Sequence, residues 1–235
     1  MIKAVFFDLY GTLAGFSPSR YEIQSQALTD FGITVTEDGI LRGYALADAH
    51  MSQQNTHRPM RSLSAQERSD FFAEYERLVL EGAGVQVSLD TSWQVWQRIR
   101  EIPYGLTRFG DALPAFEILK ERGLVIGLIS NMNQSSSELT RELGLSEYLD
   151  FAVTSIEVGS EKPHPPIFLK ALEKAGVEAC DSVHVGDQIS SDVEGARNVG
   201  INPVLLDRDG NHPNINGTPR IVGLDELPPL LESFR

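Results

Sequence analysis

The chain has 235 residues, 41% of them hydrophobic, and a formal net charge of −13, which suits one large α/β domain or a core carrying a smaller inserted one. The negative balance argues against a general nucleic-acid binder, because it repels phosphate backbones, but leaves room for a small anionic substrate held by local cations. The single cysteine, Cys180, excludes an internal disulfide; no stretch has the apolar length of a membrane span, and the N-terminal residues show no basic-then-apolar leader, so a cytoplasmic protein without membrane partners is expected.

Ala4, Val5, Phe6 and Phe7 form an unbroken apolar run that ends at Asp8, with Gly11 just beyond. Such a run reads as a strand buried on both faces of a parallel sheet. The binding crevice of open α/β sheets lies at the carboxyl ends of strands, so Asp8 is placed either for chemistry or as the cap of the next turn. Ser17-Pro18 then reads as a helix start, running to about Phe31 and stopped by Gly32. Thr36 caps a second helix to about Gln54, and residues 55–63 read as a loop. Ser64 with Glu67 makes a capping box for a helix carrying Phe71, Phe72, Tyr75, Leu78 and Val79 on one side. Residues 89–102 form another helix, with Trp93, Trp96 and Ile99 along it. Residues 15–103 therefore read as a helical module inserted into a core made of residues 1–14 and 104–235.

From Phe109 onward helix and strand patterns alternate. Helices are expected at 111–122, 135–143, 165–175, 191–199 and 225–231. Strands are expected at 124–129, 151–154, 182–185 and 202–206, with an edge strand at 220–222. Repeated strand–helix units with right-handed crossovers imply a Rossmann-like α/β core, a parallel sheet with helices on both faces.

Three later stretches resemble the Asp8 segment in placing polar groups beside apolar runs or at helix starts. They are Leu128-Ile129-Ser130-Asn131, Glu161-Lys162-Pro163, and His184-Val185-Gly186-Asp187 followed by Ser191-Asp192. Each alone has a plainer reading. Ser130-Asn131 is a turn or cap, Lys162 a surface lysine, Gly186-Asp187 a turn, and Asp192 the cap of the helix after it. Taken in this order and spacing, the four segments resemble the haloacid dehalogenase superfamily of hydrolases, over nearly the whole chain.

That resemblance implies a set of roles. Asp8 is the attacking carboxylate, and it also holds Mg²⁺ with Asp187 and the main-chain carbonyl of Tyr10. Asp192 is a further ligand or a partner of the ligands. Lys162 balances the charge of Asp8 and of the transferring group. Thr12, Ser130 and Asn131 bind the substrate, the latter two through hydroxyl and backbone N–H. Two carboxylates and a carbonyl suffice for Mg²⁺, which keeps several waters. The helical module resembles the cap of this superfamily, which closes over a small substrate and excludes water. His184 reads as structural, and the oligomeric state is open.

One position departs from the phosphatase pattern. Most phosphatases of the superfamily carry an acid–base aspartate two residues after the nucleophile, where this chain has Tyr10. Loss of such a group costs about 10² to 10⁴ in rate. Tyr donates poorly at neutral pH, with a reference pKa of about 10, so leaving groups that need no proton are favoured. Asp-Leu-Tyr-Gly-Thr is also the form seen in the 2-haloacid dehalogenase branch, which attacks carbon and needs no metal. Arg42 and Trp93 are candidates for the halide cradle such an enzyme needs. The Gly186-Asp187…Asp192 segment is the metal-binding form, and like carboxylates crowded together resist joint ionisation without a cation. The expectation is therefore a Mg²⁺-dependent small-molecule phosphatase. Carbon–halogen hydrolysis is the alternative, and a non-catalytic binding protein on this fold is a third reading.

Overall fold

The computed structural model describes residues 1–132 and 134–234 and divides the chain into two units, residues 1–15 with 107–235 and residues 16–106. The chain opens with β1 (Ala4–Phe7) and leaves the first unit through β2 (Ala14–Ser17). The second unit holds α1 (Arg20–Thr29), α2 (Glu37–His57), α3 (Ala65–Gly82) and α4 (Leu89–Ile99). The chain returns through β3 (Gly105–Arg108), which pairs with β2. There follow α5 (Ala112–Glu121), β4 (Val125–Ser130), α6 (Ser136–Glu142), β5 (Phe151–Thr154), α7 (Ser155–Val158) and α8 (Pro165–Ala175). The last elements are β6 (Ser182–Gly186), a π-helix at Ile189–Glu194, α9 (Gly195–Asn198), β7 (Asn202–Leu206), β8 (Arg220–Ile221) and α10 (Leu227–Leu230).

The larger sheet has the order β5-β4-β1-β6-β7-β8 and every neighbouring pair is parallel. β1 is central and fully buried because alternate residues feed opposite faces. On one face Ala4 and Phe6 pack with Ile167, Phe168 and Ala171 of α8 and Ala196 of α9. On the other, Phe7 meets Phe116 of α5 edge-on at 5.1 Å. Helices thus cover both faces of a Rossmann-like parallel sheet, as the alternating pattern predicts, and the carboxyl ends of β1, β4 and β6 share one edge.

The helical unit has its own core. Ile23, Leu28, Leu80, Val95 and Ile99 form one cluster, and Ile40, Tyr44, Phe71, Tyr75 and Val79 another. Trp96 stacks on Phe72 at 4.4 Å, so this aromatic pair serves packing within the unit. α2 and α3 cross closely at Gly43, where a Cβ would lie 2.0 Å from the Val79 carbonyl oxygen. Arg42 is exposed and Trp93 half-buried.

Some boundaries differ from the sequence reading for identifiable reasons. The α1 N-cap is Ser19, not Ser17, because Glu22 closes a capping box on Ser19 while Ser17 ends β2. α2 continues through residues 55–57, and Asn55 accepts from the Met60 N–H beyond it. The helix expected at 191–199 starts earlier and opens as a π-helix, a form that recurs at functional sites. No helix among the described residues is long and apolar enough to cross a membrane.

Candidate active site

The β1–β6 ladder extends one step past β1, where the Asp8 N–H donates to the Val185 carbonyl at 2.9 Å. This brings the Asp8 backbone beside the end of β6, and Asp187 follows that strand directly. Asp8 is buried, 7% exposed. Residues 9–14 turn tightly, with the N–H groups of Leu13 and Ala14 both donating to the Leu9 carbonyl. Gly11 sits in this turn at φ 80°, a conformation that favours glycine, and a Cβ there would lie 2.3 Å from Asp187 Oδ2. The Asp187 carboxylate therefore packs on the bare backbone of the turn that carries Asp8.

Lys162 lies 2% exposed in the turn before α8. Its ammonium donates to Asp8 Oδ1 and, at 2.7 Å, to Asp192 Oδ1. The Asn131 side chain holds the lysine's main chain from both sides. Its Oδ1 accepts from the Lys162 N–H at 2.7 Å and its Nδ2 donates to the Lys162 carbonyl at 3.1 Å. The amide of Asn131 thus positions Lys162. Ser130 is buried at the end of β4, on the same sheet edge as Asp8. Thr12 is fully buried, and its hydroxyl has no hydrogen-bond partner among the described residues. Tyr10 is half-buried and its backbone bridges Ala14.

Asp192 comes back to the site because the π-helix turns its side chain toward the start of that segment. Its Oδ2 accepts from the Gln188 N–H at 3.1 Å. Its Oδ1 accepts from Lys162 and lies 2.9 Å from His184 Nε2. His184 is buried in β6 with its ring edge-on to Phe168. Its contact with Asp192 goes beyond the structural role expected from the sequence, where the local sign is a histidine between Val183 and Val185 in a buried strand.

One carboxylate oxygen each from Asp8, Asp187 and Asp192 lie within 4.8 Å of one another. These hard oxygen donors fit a cation such as Mg²⁺. Both oxygens of Asp192 already accept hydrogen bonds, which suits it to holding Lys162. Burial raises the Asp8 carboxyl above the usual carboxylate range, against the opposing pull of Lys162. Burial also works to raise Asp192, but Lys162 and His184 overturn it and hold that carboxyl below its usual range. Burial lowers the His184 pKa, so the imidazole is neutral at pH 7 and donates one N–H to Asp192. Burial opposes the charge on Lys162, and the two carboxylates restore it and raise its pKa.

A haloacid dehalogenase-like hydrolase family model matches residues 2–200. The chain belongs to the haloacid dehalogenase-like hydrolases. It is 27% identical over 210 residues to glyceraldehyde 3-phosphate phosphatase of Methanopyrus kandleri, covering 88% of this chain and 85% of that protein. Haloacid dehalogenase-like hydrolase domain-containing protein 3 of Danio rerio is 36% identical over 127 residues, 53% of this chain and 52% of that one. Among solved structures, a 2-haloacid dehalogenase from Pseudomonas syringae pv. Tomato DC3000 aligns over 100% of both chains, with 29% identity and a TM-score of 0.58. Membership in the haloacid dehalogenase-like hydrolases makes the chain a hydrolase on a Rossmann-like α/β core.

Proposed function

We propose that the chain is a Mg²⁺-dependent phosphatase of small molecules that acts through an aspartyl-phosphate on Asp8. The observation that carries this reading is the convergence of three acidic side chains, two of which, Asp8 and Asp192, pair with one buried lysine. The similarity to a phosphatase over most of both chains supports it. Asp8, Asp187 and the Tyr10 carbonyl would hold Mg²⁺, whose charge when bound offsets the repulsion between Asp8 and a phosphate dianion.

The remaining chemistry belongs to the chain's own residues. Lys162 keeps Asp8 ionised by donating to one of its oxygens, and Asp192, with neutral His184 behind it, keeps Lys162 in place. Asp8 forms an oxygen–phosphorus bond while the bond from phosphorus to the leaving oxygen breaks, and that oxygen departs with the electron pair. Thr12, Ser130 and the Asn131 backbone N–H supply donors for the phosphoryl oxygens. Water then attacks phosphorus and releases phosphate. Tyr10 is a poor acid at neutral pH, so acyl and aryl phosphates, whose leaving groups need no proton, are preferred to alkyl phosphates. The net charge of −13 disfavours a nucleic-acid substrate.

A second reading, carbon–halogen hydrolysis, is favoured by Tyr10 and by the likeness to the Pseudomonas syringae dehalogenase. One screen separates the two. Wild type and Asp8→Asn are assayed with p-nitrophenyl phosphate, an acyl phosphate, an alkyl phosphate and 2-chloropropionate, with Mg²⁺ or with chelator. The proposal expects Mg²⁺-dependent turnover of the acyl and aryl phosphates, abolished by Asp8→Asn. Turnover of 2-chloropropionate in chelator, with no phosphate ester hydrolysed, selects the second reading.

A further inference from the structure

Arg208, just past the end of β7, makes contacts that no step above uses. Its guanidinium forms a two-pronged pair with Asp111, Nη1 to Oδ2 at 2.8 Å and Nη2 to Oδ1 at 2.9 Å. Nη2 also donates to the Thr12 carbonyl at 2.9 Å, inside the turn that carries Asp8. The guanidinium lies over the Phe109 ring at 4.3 Å, and the Phe109 N–H donates to the Leu13 carbonyl at 2.9 Å. Arg208 and Phe109 therefore hold two consecutive carbonyls of the nucleophile turn.

The parts of this clasp are themselves fixed. Asp111 stands at the N-cap of α5 yet makes no side-chain bond to its own helix. Its carboxylate is committed instead to Arg208 and to the Leu224 N–H at 3.0 Å. Asp207, 4% exposed, accepts from the N–H groups of Asn211 and His212 and from Arg220 Nε, which freezes the turn that presents Arg208. A planar fork is needed here, because one group must reach both carboxylate oxygens and a carbonyl together.

We infer that Arg208, oriented by Asp111, is a positioning residue that holds the Leu9–Ala14 turn so that Asp8 and the Thr12 hydroxyl keep their place in the site. The inference rests on Asp8 as nucleophile only for its catalytic consequence. A displacement of about 1 Å at a reacting group can cost roughly 10² in rate, which sets the expected size of the effect.

Hydrogen–deuterium exchange of the peptide spanning residues 8–14 reads the clasp without any turnover. Wild type, Arg208→Gln, Arg208→Lys and Asp111→Asn are compared, with the β7 peptide as internal control. The expected result is about tenfold faster exchange of residues 8–14 in Arg208→Gln, smaller increases in the other two, and unchanged β7. If Arg208→Gln does not fold, the Arg208→Lys and Asp111→Asn comparison decides alone. In turnover of p-nitrophenyl phosphate, Arg208→Gln should lose about 10²-fold in kcat with KM within about threefold, partly restored by millimolar guanidinium. Unchanged exchange at residues 8–14 overturns the inference whatever the activity. Faster exchange with wild-type kcat reduces Arg208 to a structural role and overturns it too. A wild type inactive on every phosphate refutes the proposed function, and the exchange data still decide whether Arg208 holds the turn.

Discussion

Replacing Lys162 by methionine keeps the length and apolar stem of the side chain and removes its charge. Lys162 is 2% exposed, and its two carboxylate partners, Asp8 and Asp192, are 7% and 1% exposed, so solvent screens little of the interaction. Breaking a buried pair by deleting one partner costs about 3–5 kcal/mol, because the surviving charges stay buried without compensation. Here two carboxylates are left facing each other, and they resist ionising together. Burial already raises the Asp8 carboxyl, so Asp8 is the one that takes up a proton. A carboxyl raised in the folded state contributes stability that is present at acid pH and lost as pH rises through its folded pKa. The deficit of Lys162→Met is therefore about 3–5 kcal/mol at pH 7 and clearly smaller at pH 5. Urea unfolding followed by circular dichroism, in chelator, measures both values, and added Mg²⁺ should restore part of the loss at pH 7. A deficit below about 1 kcal/mol at pH 7, or one equal at both pH values, would mean that Lys162 does not compensate the two buried carboxylates.

Three other substitutions probe separate parts of the account. Glu76, fully buried in the helical unit with Gln24 as its partner, has its carboxyl pushed up to about 8 by burial. Wild-type stability should fall between about pH 4.5 and 8 by on the order of 3–5 kcal/mol, and Glu76→Gln should flatten that slope in a urea series across pH. An unaltered slope means Glu76 is ionised in the fold. Gly11→Ala puts a Cβ at 2.3 Å from Asp187 Oδ2 at φ 80°, so Mg²⁺ affinity by calorimetry should fall at least about tenfold; unchanged affinity would show that Asp187 is no ligand. Tyr10→Asp should raise alkyl phosphate turnover by about 10² to 10⁴, and no gain on any substrate would favour the non-catalytic reading.

The core was legible because its strands are continuous apolar runs punctuated by glycine, and Asp8, Ser130 and Asp187 stand where those runs stop. β5, β7 and α8 fall where the pattern puts them. β2 and β3 carry no continuous apolar run, Ala14–Ser17 holding Gly15 and Ser17 and Gly105–Arg108 holding Thr107 and Arg108, and their pairing joins segments from opposite ends of the helical unit. Pro18 imitates a first helical position, whereas the reciprocal bonds of Ser19 and Glu22 set the start of α1. Within the site, the cations were the harder part. Lys162 carries a local signal in Pro163, but its clamp by Asn131 spans 31 positions. Arg208 meets Asp111 across 97 positions and Thr12 across 196, distances over which no spacing rule reaches. Asp192 could be read as a helix cap, and only the π-helix shows that its carboxylate turns back to join Lys162 and His184.

The most direct test is chemical capture of Asp8 during turnover. Wild type is mixed with p-nitrophenyl phosphate and Mg²⁺, quenched in acid, reduced with borohydride and digested for mass spectrometry. An aspartyl-phosphate is reduced to homoserine, so homoserine is expected at position 8 with Mg²⁺ present and aspartate there in chelator. Aspartate at position 8 while phosphate is released, or capture at that position in chelator with 2-chloropropionate and not with the phosphate, contradicts an aspartyl-phosphate on Asp8.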